Sequence, residues 1–576
     1  MSTTLHGRAA APGVALAPTF VLSAESDETV PIPTDRQGSS DAEVARLTDA
    51  LAKAEAQLRD LAEQVADSAG EDEADIFDAH AEFAADPELA SLATTAIETG
   101  ASAERGVTEA FGTFRELLSA SSSEYLAARA DDLDDVRDRV VAILQGREVL
   151  QAVPDERSVV VASALTPSQT AGLPRQLIAA LVTETGSPTS HAAILARSLG
   201  IPAVVACEGL LEAVGAGAEA IVDGSSGEVT LEPDDEQRRV AQTRIEEERE
   251  RDEALASLRD VPGQTADGHR VELAANIGSA DDLKPAVEAG AEGSGLVRTE
   301  FLFQSRQSAP SVDDQIVFYR QVLQAFDGHR VVFRTMDVGA DKPLPFVERD
   351  PEENPALGLR GIRLHLARPE LLRDQLRALL RAHQQLVGQD AGRLAIMFPL
   401  VAVVHEVVEA RRILNEVAAE EGVDLDGIEV GVMIEVPSAA LGAARVAEHV
   451  DFMSIGTNDL LQYLFAVDRL HGGVADIADV CEPDALGLIG QVIEAGHAGG
   501  AWVGVCGEAA SDPLVAAALV GLGIDELSMT RVAIPEVKDA LAKLDRDRCA
   551  QAVRDALPHE DAASVRASLE DALNIG

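Results

Sequence analysis

From about Asp41 to Leu144 apolar residues recur three and four positions apart, as in ARLTDALAKAEAQLRDLAEQV and SEYLAARADDLDDVRDRVVAIL. That period lays them along one stripe of an α-helix. Glycine is scarce and Pro87 is the one proline, so the stretch predicts a helical hairpin or bundle with turns near Gly70 and Gly100. The period then changes. Short apolar runs, SVVVASAL, LIAALVTE, PAVVAC and EAIVDG, interleaved with one helical segment after His191, predict a small α/β domain. The stretch EPDDEQRRVAQTRIEEERERDEALASLRD mixes both signs of charge with few large apolar residues and suits a solvated connecting helix.

After Gly263 strand-like runs alternate with helical stretches: VELAANIG, GSGLVRTE, RVVFRTMDVG, LAIMFPLV, EVGVMIEVP, DFMSIGTND, WVGVCGEAA and DELSM. Eight such runs predict a (β/α)8 barrel, which needs about 250 residues. Polar residues follow five of these runs closely: Arg298, Arg334, Glu435, the pair Asn458 and Asp459, and Cys506. Strand C-termini form the active-site face of such barrels, so five strands aim chemistry at one mouth.

Composition narrows the class. The 576 residues are too many for one core and predict several domains. The net charge of -52 resides on a lysine-poor surface, with only Lys53, Lys284, Lys342, Lys538 and Lys543, as in proteins from salt-in halophiles. Such charge excludes nucleic acid as a partner, because phosphates would be repelled. No apolar stretch approaches the roughly 20 residues that span a membrane, and the start MSTTLHGRAAAPGVALAP has no basic region before a long apolar one, so a cytoplasmic location is expected. Cys207, Cys481, Cys506 and Cys549 lie far apart without a CxxC pair, which argues against disulfides or a thiolate zinc site.

In TETGSPTSHAAILARSLG, Thr189, Ser190 and His191 precede a helical run, which puts the imidazole at a helix N-terminus. Backbone N–H groups and the helix dipole there favour an anion, and a neutral ring nitrogen is a competent nucleophile. A capping or hydrogen-bonded histidine is the bland alternative for this one residue.

TSHAAILAR, closing with GIPAVV, resembles the phosphohistidine swivelling domain shared by enzyme I of the phosphoenolpyruvate-dependent sugar phosphotransferase system, phosphoenolpyruvate synthase and pyruvate phosphate dikinase. DFMSIGTNDLLQYLFAVDR resembles the barrel signature of enzyme I, and APGVALAP, FDAHAEFAADPEL, SEYLAARADDLDDV, SALTPSQTA, GAEGSGLVRTEFLF, RTMDVGADKPLPF, ENPALGLRGIR and VCGEAA follow in enzyme I order. The resemblance implies a multidomain α/β protein. Residues 1–22 and 147–232 would form the swivelling domain, 23–146 an inserted helical domain that binds the carrier protein HPr, 233–261 a linker helix and 262–576 the phosphoenolpyruvate-binding TIM barrel.

It also implies roles. His191 takes the phosphoryl group of phosphoenolpyruvate and hands it to HPr, yielding pyruvate. Arg298, Arg334, Arg469, the Asn458 amide and Asp459 bind phosphoenolpyruvate, Glu435 and Asp459 hold Mg²⁺, and Cys506, with Glu508 close by, protonates the enolate. A homodimer through the barrel is implied as well. Asp75, Asp78, His80 and Glu82, around the helical FDAHAEF segment, form an acidic face able to steer a basic partner.

Departures from the family pattern are Ser187 in place of a second glycine, Ala192 after the histidine, and HGGVADIADVCEPDALGLI, where Glu482 precedes Pro483 and Cys481 has no assigned role. A synthase or dikinase reading would require a nucleotide-binding domain with a Gly-rich phosphate loop, and the residues before Pro154 read as helices. A regulatory scaffold without catalysis would not need His191, the three arginines, both carboxylates and Cys506 together.

Overall fold

A computed structural model of the chain describes residues 2–22, 33, 35, 36, 38–68, 71–119, 130–147, 153–171, 173–188, 190, 193, 196, 197, 200–215, 217–304, 308–339, 344, 346, 347, 352–468, 471, 474 and 477–575. Two compact units divide it, Met1–Arg251 and Asp252–Gly576.

In the first unit β1 (Thr3–His6), β2 (Arg8–Ala11) and β3 (Val14–Val21) precede, among the described residues, the helices α1 (Ser40–Ser68), α2 (Glu71–Ala85), α3 (Pro87–Glu98), α4 (Ala103–Ser119) and α5 (Ala130–Leu144). The chain then adds β4 (Ser158–Ala162), β5 (Ile178–Thr183), β6 (Ala203–Val205), β7 (Glu219–Asp223) and β8 (Glu228–Leu231). One sheet results, in the order β1-β8-β7-β3-β4-β5-β6-β2, parallel from β3 to β6 and antiparallel elsewhere. The helices are thus an insertion between two neighbouring strands of a sheet. The apolar runs predicted β4 to β7, whereas β1, β2 and β8 are short and partly polar, and β3 carries Pro18 and Thr19, so none of these four gave a usable period.

The helical period is borne out. Leu47, Leu58, Leu89, Ile97, Val107, Phe111, Leu133, Val136 and Val140 pack into one core. Pro87 opens α3 rather than breaking it, because its missing N–H falls where a helix has no internal acceptor, and Asp86 Oδ1 accepts from the N–H groups of Glu88 (2.7 Å) and Leu89 (3.1 Å). The turn expected at Gly100 is present with φ of +120°, and the one at Gly70 lies outside the described residues. After β8, helix α6 (Asp235–Ser257) buries little besides Ala241 and carries pairs such as Arg238 with Asp235 at 3.0 Å, as a solvated connector should.

The second unit is a closed barrel of eight parallel strands: β9 (Glu272–Ile277), β10 (Gly293–Val297), β11 (Arg330–Arg334), β12 (Arg393–Phe398), β13 (Glu429–Ile434), β14 (Phe452–Ile455), β15 (Trp502–Val505) and β16 (Glu526–Met529), which pairs back onto β9. Each coincides with one of the eight apolar runs. The interior is filled by Leu296, Val332, Ala395, Met397, Met433, Phe452 and Cys506. At the strand N-termini Arg330 forms ion pairs with Glu429 (2.7 Å), Glu272 (2.9 Å) and Glu526 (3.5 Å), and its guanidinium lies 3.9 Å over the ring of Trp502, which stacks on Phe452. That end is a floor whose charges are paired with one another. Among the described residues no helix is long and apolar enough to cross a membrane.

Candidate active site

The opposite end, where the strands finish, collects the polar residues. Arg334 is the last residue of β11, Asp337 lies three beyond it, Glu435 directly follows β13, and Asp459 sits in the first turn of the helix Thr457–Leu464 after β14. Asp337, Glu435 and Asp459 are all buried, and ligand oxygens of the three lie within 4.8 Å of one another. Such a cluster is repulsive unless cations intervene, and two arginines do so. Arg360 grips Asp337 through two bonds, Nη2 to Oδ2 at 2.8 Å and Nε to Oδ1 at 3.2 Å, and its Nη2 also reaches Asp459 Oδ2 at 3.2 Å. Arg334 donates from Nη2 to Glu300 Oε1 at 3.1 Å and lies 3.5 Å from Asp337 Oδ2.

The charges settle accordingly. Burial together with Asp337 and Asp459 pushes the Glu435 carboxyl well above the usual carboxylate range, although its Oε1 accepts from the N–H of Leu400 at 2.6 Å. For Asp337 burial acts in the same direction, but Arg334 and Arg360 outweigh it and hold the group below its ordinary value. Both guanidinium groups are desolvated, yet the surrounding carboxylates raise their pKa values, so they remain cations. Three acidic oxygens facing one space, one of them on a carboxyl that its neighbours strain, fit a divalent cation, which would replace repulsion by coordination.

Cys506 follows β15, its thiol buried, with Sγ 3.8 Å from the carbonyl of Ile455. Burial pushes it up to about 11, only partly countered by Ser454 and Arg334, so it holds its proton at neutral pH. Enclosure among Met433, Phe452 and Leu296 makes it a weaker acid than a thiol in water. The adjoining Gly507 lies so close to Thr457 that a Cβ there would collide with its hydroxyl, which draws the Cys506 loop against the Asn458–Asp459 turn. Asn458 Oδ1 accepts from the N–H of Glu508 at 3.1 Å, leaving its amide N–H groups as the remaining donors, while the Glu508 side chain is exposed.

Arg298 follows β10 with an exposed side chain, its backbone N–H bonded to Ile277 at 2.8 Å. Thus Arg334, Glu435, Asp459 and Cys506 come together in the mouth. Arg469, and His191 with Thr189, lie outside the described residues. Near the latter, Ser190 Oγ accepts from the N–H of Ala193 at 3.4 Å, a contact of the N-cap kind. On α2, Asp78 and Glu82 are exposed one turn apart, and the Asp75 side chain lies outside the described residues. His80 departs from the expectation: it is fully buried, edge-on to Phe77 (5.9 Å) and 3.7 Å from Asp135, because its position falls on the apolar stripe of the helix, so it cannot belong to an exposed docking face.

Sequence reasoning missed Asp337, Arg360 and Glu300. Asp337 stood three residues past a strand end in RTMDVG and was legible by the rule that exposed Arg334. Arg360 was not, because ENPALGLRGIR reads as a turn-rich connection. Its geometry depends on Gly361, whose φ is +52° and where a Cβ would come within 2.8 Å of Leu400 and 3.1 Å of Asp337.

Comparison with known proteins agrees with this arrangement. Sequence profiles match along the chain in order: the PEP-utilising enzyme N-terminal domain over residues 6–129, the mobile domain over 154–227 and the PEP-binding domain over 252–546. A phosphoenolpyruvate-protein phosphotransferase of Haloferax volcanii is 45% identical over 507 residues, covering 87% of each chain. One from Staphylococcus carnosus is 42% identical over 550 residues, covering 94% of each. A solution structure of Enzyme I, 33% identical, covers 42% of this chain and 99% of its own, with a TM-score of 0.38. With a parallel barrel whose mouth gathers arginines and carboxylates, and with relatives matching along nearly its whole length, the chain belongs to the phosphoenolpyruvate-protein phosphotransferases, the enzyme I family.

Proposed function

We propose that the chain takes the phosphoryl group of phosphoenolpyruvate onto His191 and passes it to the carrier protein HPr, with Mg²⁺ held by Glu435 and Asp459. The observation that carries this reading is the buried group Asp337, Glu435 and Asp459 at the strand ends. Asp337 is committed to Arg360 and Arg334, so the other two carboxylates are the better ligands. Bound there, Mg²⁺ supplies positive charge to the phosphate and carboxylate oxygens of the substrate.

Arg298, Arg334 and Arg469 present planar forks to the same oxygens, and the Asn458 amide adds a donor. Phosphoryl transfer needs placement and charge neutralisation above all. The phosphorus–oxygen bond to the enol breaks as a phosphorus–nitrogen bond forms at His191. The enolate then takes the Cys506 proton at carbon, giving pyruvate, and the thiolate recovers a proton from solvent. A thiol that stays protonated suits this step.

The domains fall at 1–22 with 147–232, 23–146, 233–261 and 262–576, and the histidine domain moves between substrate and carrier. Asp78 and Glu82 on α2 offer charge to a basic HPr face. The protein acts in the cytoplasm as a homodimer through the barrel, at high salt that screens its net charge of -52.

Incubation with labelled phosphoenolpyruvate and Mg²⁺ at high salt, followed by mapping of the acid-labile adduct, tests the reading. Label should reside on His191 and be absent from a His191→Ala variant; a variant that still labels removes His191 as the acceptor.

A further inference from the structure

Gln375 lies on the helix Pro369–Leu386 that packs outside the barrel, and it is wholly buried. A buried amide is stable only when its oxygen and both N–H groups find partners. Here Oε1 accepts from the backbone N–H of Met336 at 2.9 Å, and Nε2 donates to Thr299 Oγ1 at 2.9 Å and to Tyr319 Oη at 3.1 Å. Each hydroxyl passes the bond onward, Thr299 to the carbonyl of Arg334 at 2.9 Å and Tyr319 to Gln315 Oε1 at 3.0 Å. The amide therefore has one orientation, since a flipped one would oppose its N–H groups to that of Met336.

The partners are telling. Thr299 stands between Arg298 and Glu300 after β10, while the Arg334 carbonyl and the Met336 N–H bracket the turn that leads from β11 to Asp337. One side chain outside the barrel ties together the two loops that carry Arg298 and Arg334. Glu300 makes a second tie on the mouth side, accepting from Arg334 Nη2 at 3.1 Å and from the Asp337 N–H at 2.8 Å.

We propose that Gln375 is a positioning residue for phosphotransfer, setting the separation of Arg298 and Arg334 and thereby the affinity for phosphoenolpyruvate without touching it. This rests on the reading that those arginines bind the substrate. Loss of the tie lets the loops drift, and a displacement of about 1 Å at a phosphate clamp can cost up to about a hundredfold.

The test measures His191 labelling against phosphoenolpyruvate concentration, together with thermal unfolding, for the full chain and four variants. Gln375→Met and Thr299→Val should raise KM for phosphoenolpyruvate about tenfold, a fraction of that ceiling. Tyr319→Phe, which cuts the same network on the far side of Gln375, should lower the melting temperature and leave KM unchanged. Should Gln375→Met fail to fold, Thr299→Val alone decides. If both keep the normal KM and lose only stability, Gln375 is packing and the proposal falls. Arg334→Met separates the two levels: with its own KM raised, a normal Gln375→Met refutes this inference alone, whereas a normal Arg334→Met removes the substrate reading and the inference with it.

Discussion

Replacing Glu435 by glutamine should stabilise the metal-free protein and abolish its stabilisation by Mg²⁺. The Glu435 carboxyl holds its proton more tightly in the folded chain than in the unfolded one. Ionising it therefore costs folded stability, a cost that grows as pH rises from the ordinary carboxylate range and is complete above the raised folded value. At the 4.8 Å that bounds the cluster, a like-charge pair costs about 3.5 kcal/mol at an effective dielectric of about 20. Burial adds to the repulsion from Asp337 and Asp459, and Arg334 and Arg360 offset only part of it, so Glu435→Gln should raise the melting temperature of the metal-free protein at neutral pH. Glutamine keeps an acceptor for the N–H of Leu400, so no hydrogen bond need be lost. With Mg²⁺ at about a thousandfold excess over its dissociation constant, the normal protein gains about 4.1 kcal/mol and the variant little, so the order reverses. Calorimetric melting of the barrel transition with EDTA and with Mg²⁺, at constant ionic strength, reads both signs. A variant that melts lower without metal, or an equal Mg²⁺ shift in both proteins, would refute the electrostatic account of the mouth.

Two further outcomes follow from neighbouring groups. Cys506→Ser should slow pyruvate formation by about a hundredfold, as loss of a general acid does, and in the normal protein solvent-deuterium incorporation into pyruvate should persist to about pH 10, because the thiol deprotonates only near 11. Arg330→Met should destabilise the barrel by about 3–5 kcal/mol in denaturant titrations, by leaving Glu272, Glu429 and Glu526 unpaired, while KM for phosphoenolpyruvate is unchanged.

The barrel was legible because each strand is a nearly continuous apolar run, as both faces of a parallel sheet are covered, and because residues such as Arg334 and Glu435 stand directly after such runs. The helical insertion was legible from its period. What stayed hidden depends on contacts between segments far apart in sequence. Arg360 reaches Asp459 across 99 positions, and Gln375 reaches Thr299 across 76, from a helix whose buried face otherwise holds leucine and alanine. His80 misled for the complementary reason: local acidity marks a surface, but the helical stripe decides which side chain of the segment turns inward.

The two ends of the barrel combine the same ingredients, arginines and carboxylates, but pair them differently. At the floor, Arg330 serves three glutamates and stacks over Trp502, which itself stacks on Phe452, so the cation is already present. Burial and Glu272 raise the Glu526 carboxyl to about 8, as burial and its neighbours raise Glu435 at the mouth, so the contrast lies in how the surrounding charges are paired. At the mouth Arg360 spends most of its fork on Asp337, and Arg334 divides its own between Glu300 and Asp337. Glu435 is left with like-charged neighbours and no direct ion pair among the described residues, while its oxygen still lies within 4.8 Å of theirs. A protein gains nothing in stability from holding a buried carboxyl among like charges, which is why the strand ends are where the proposed divalent cation and the anionic substrate would bind.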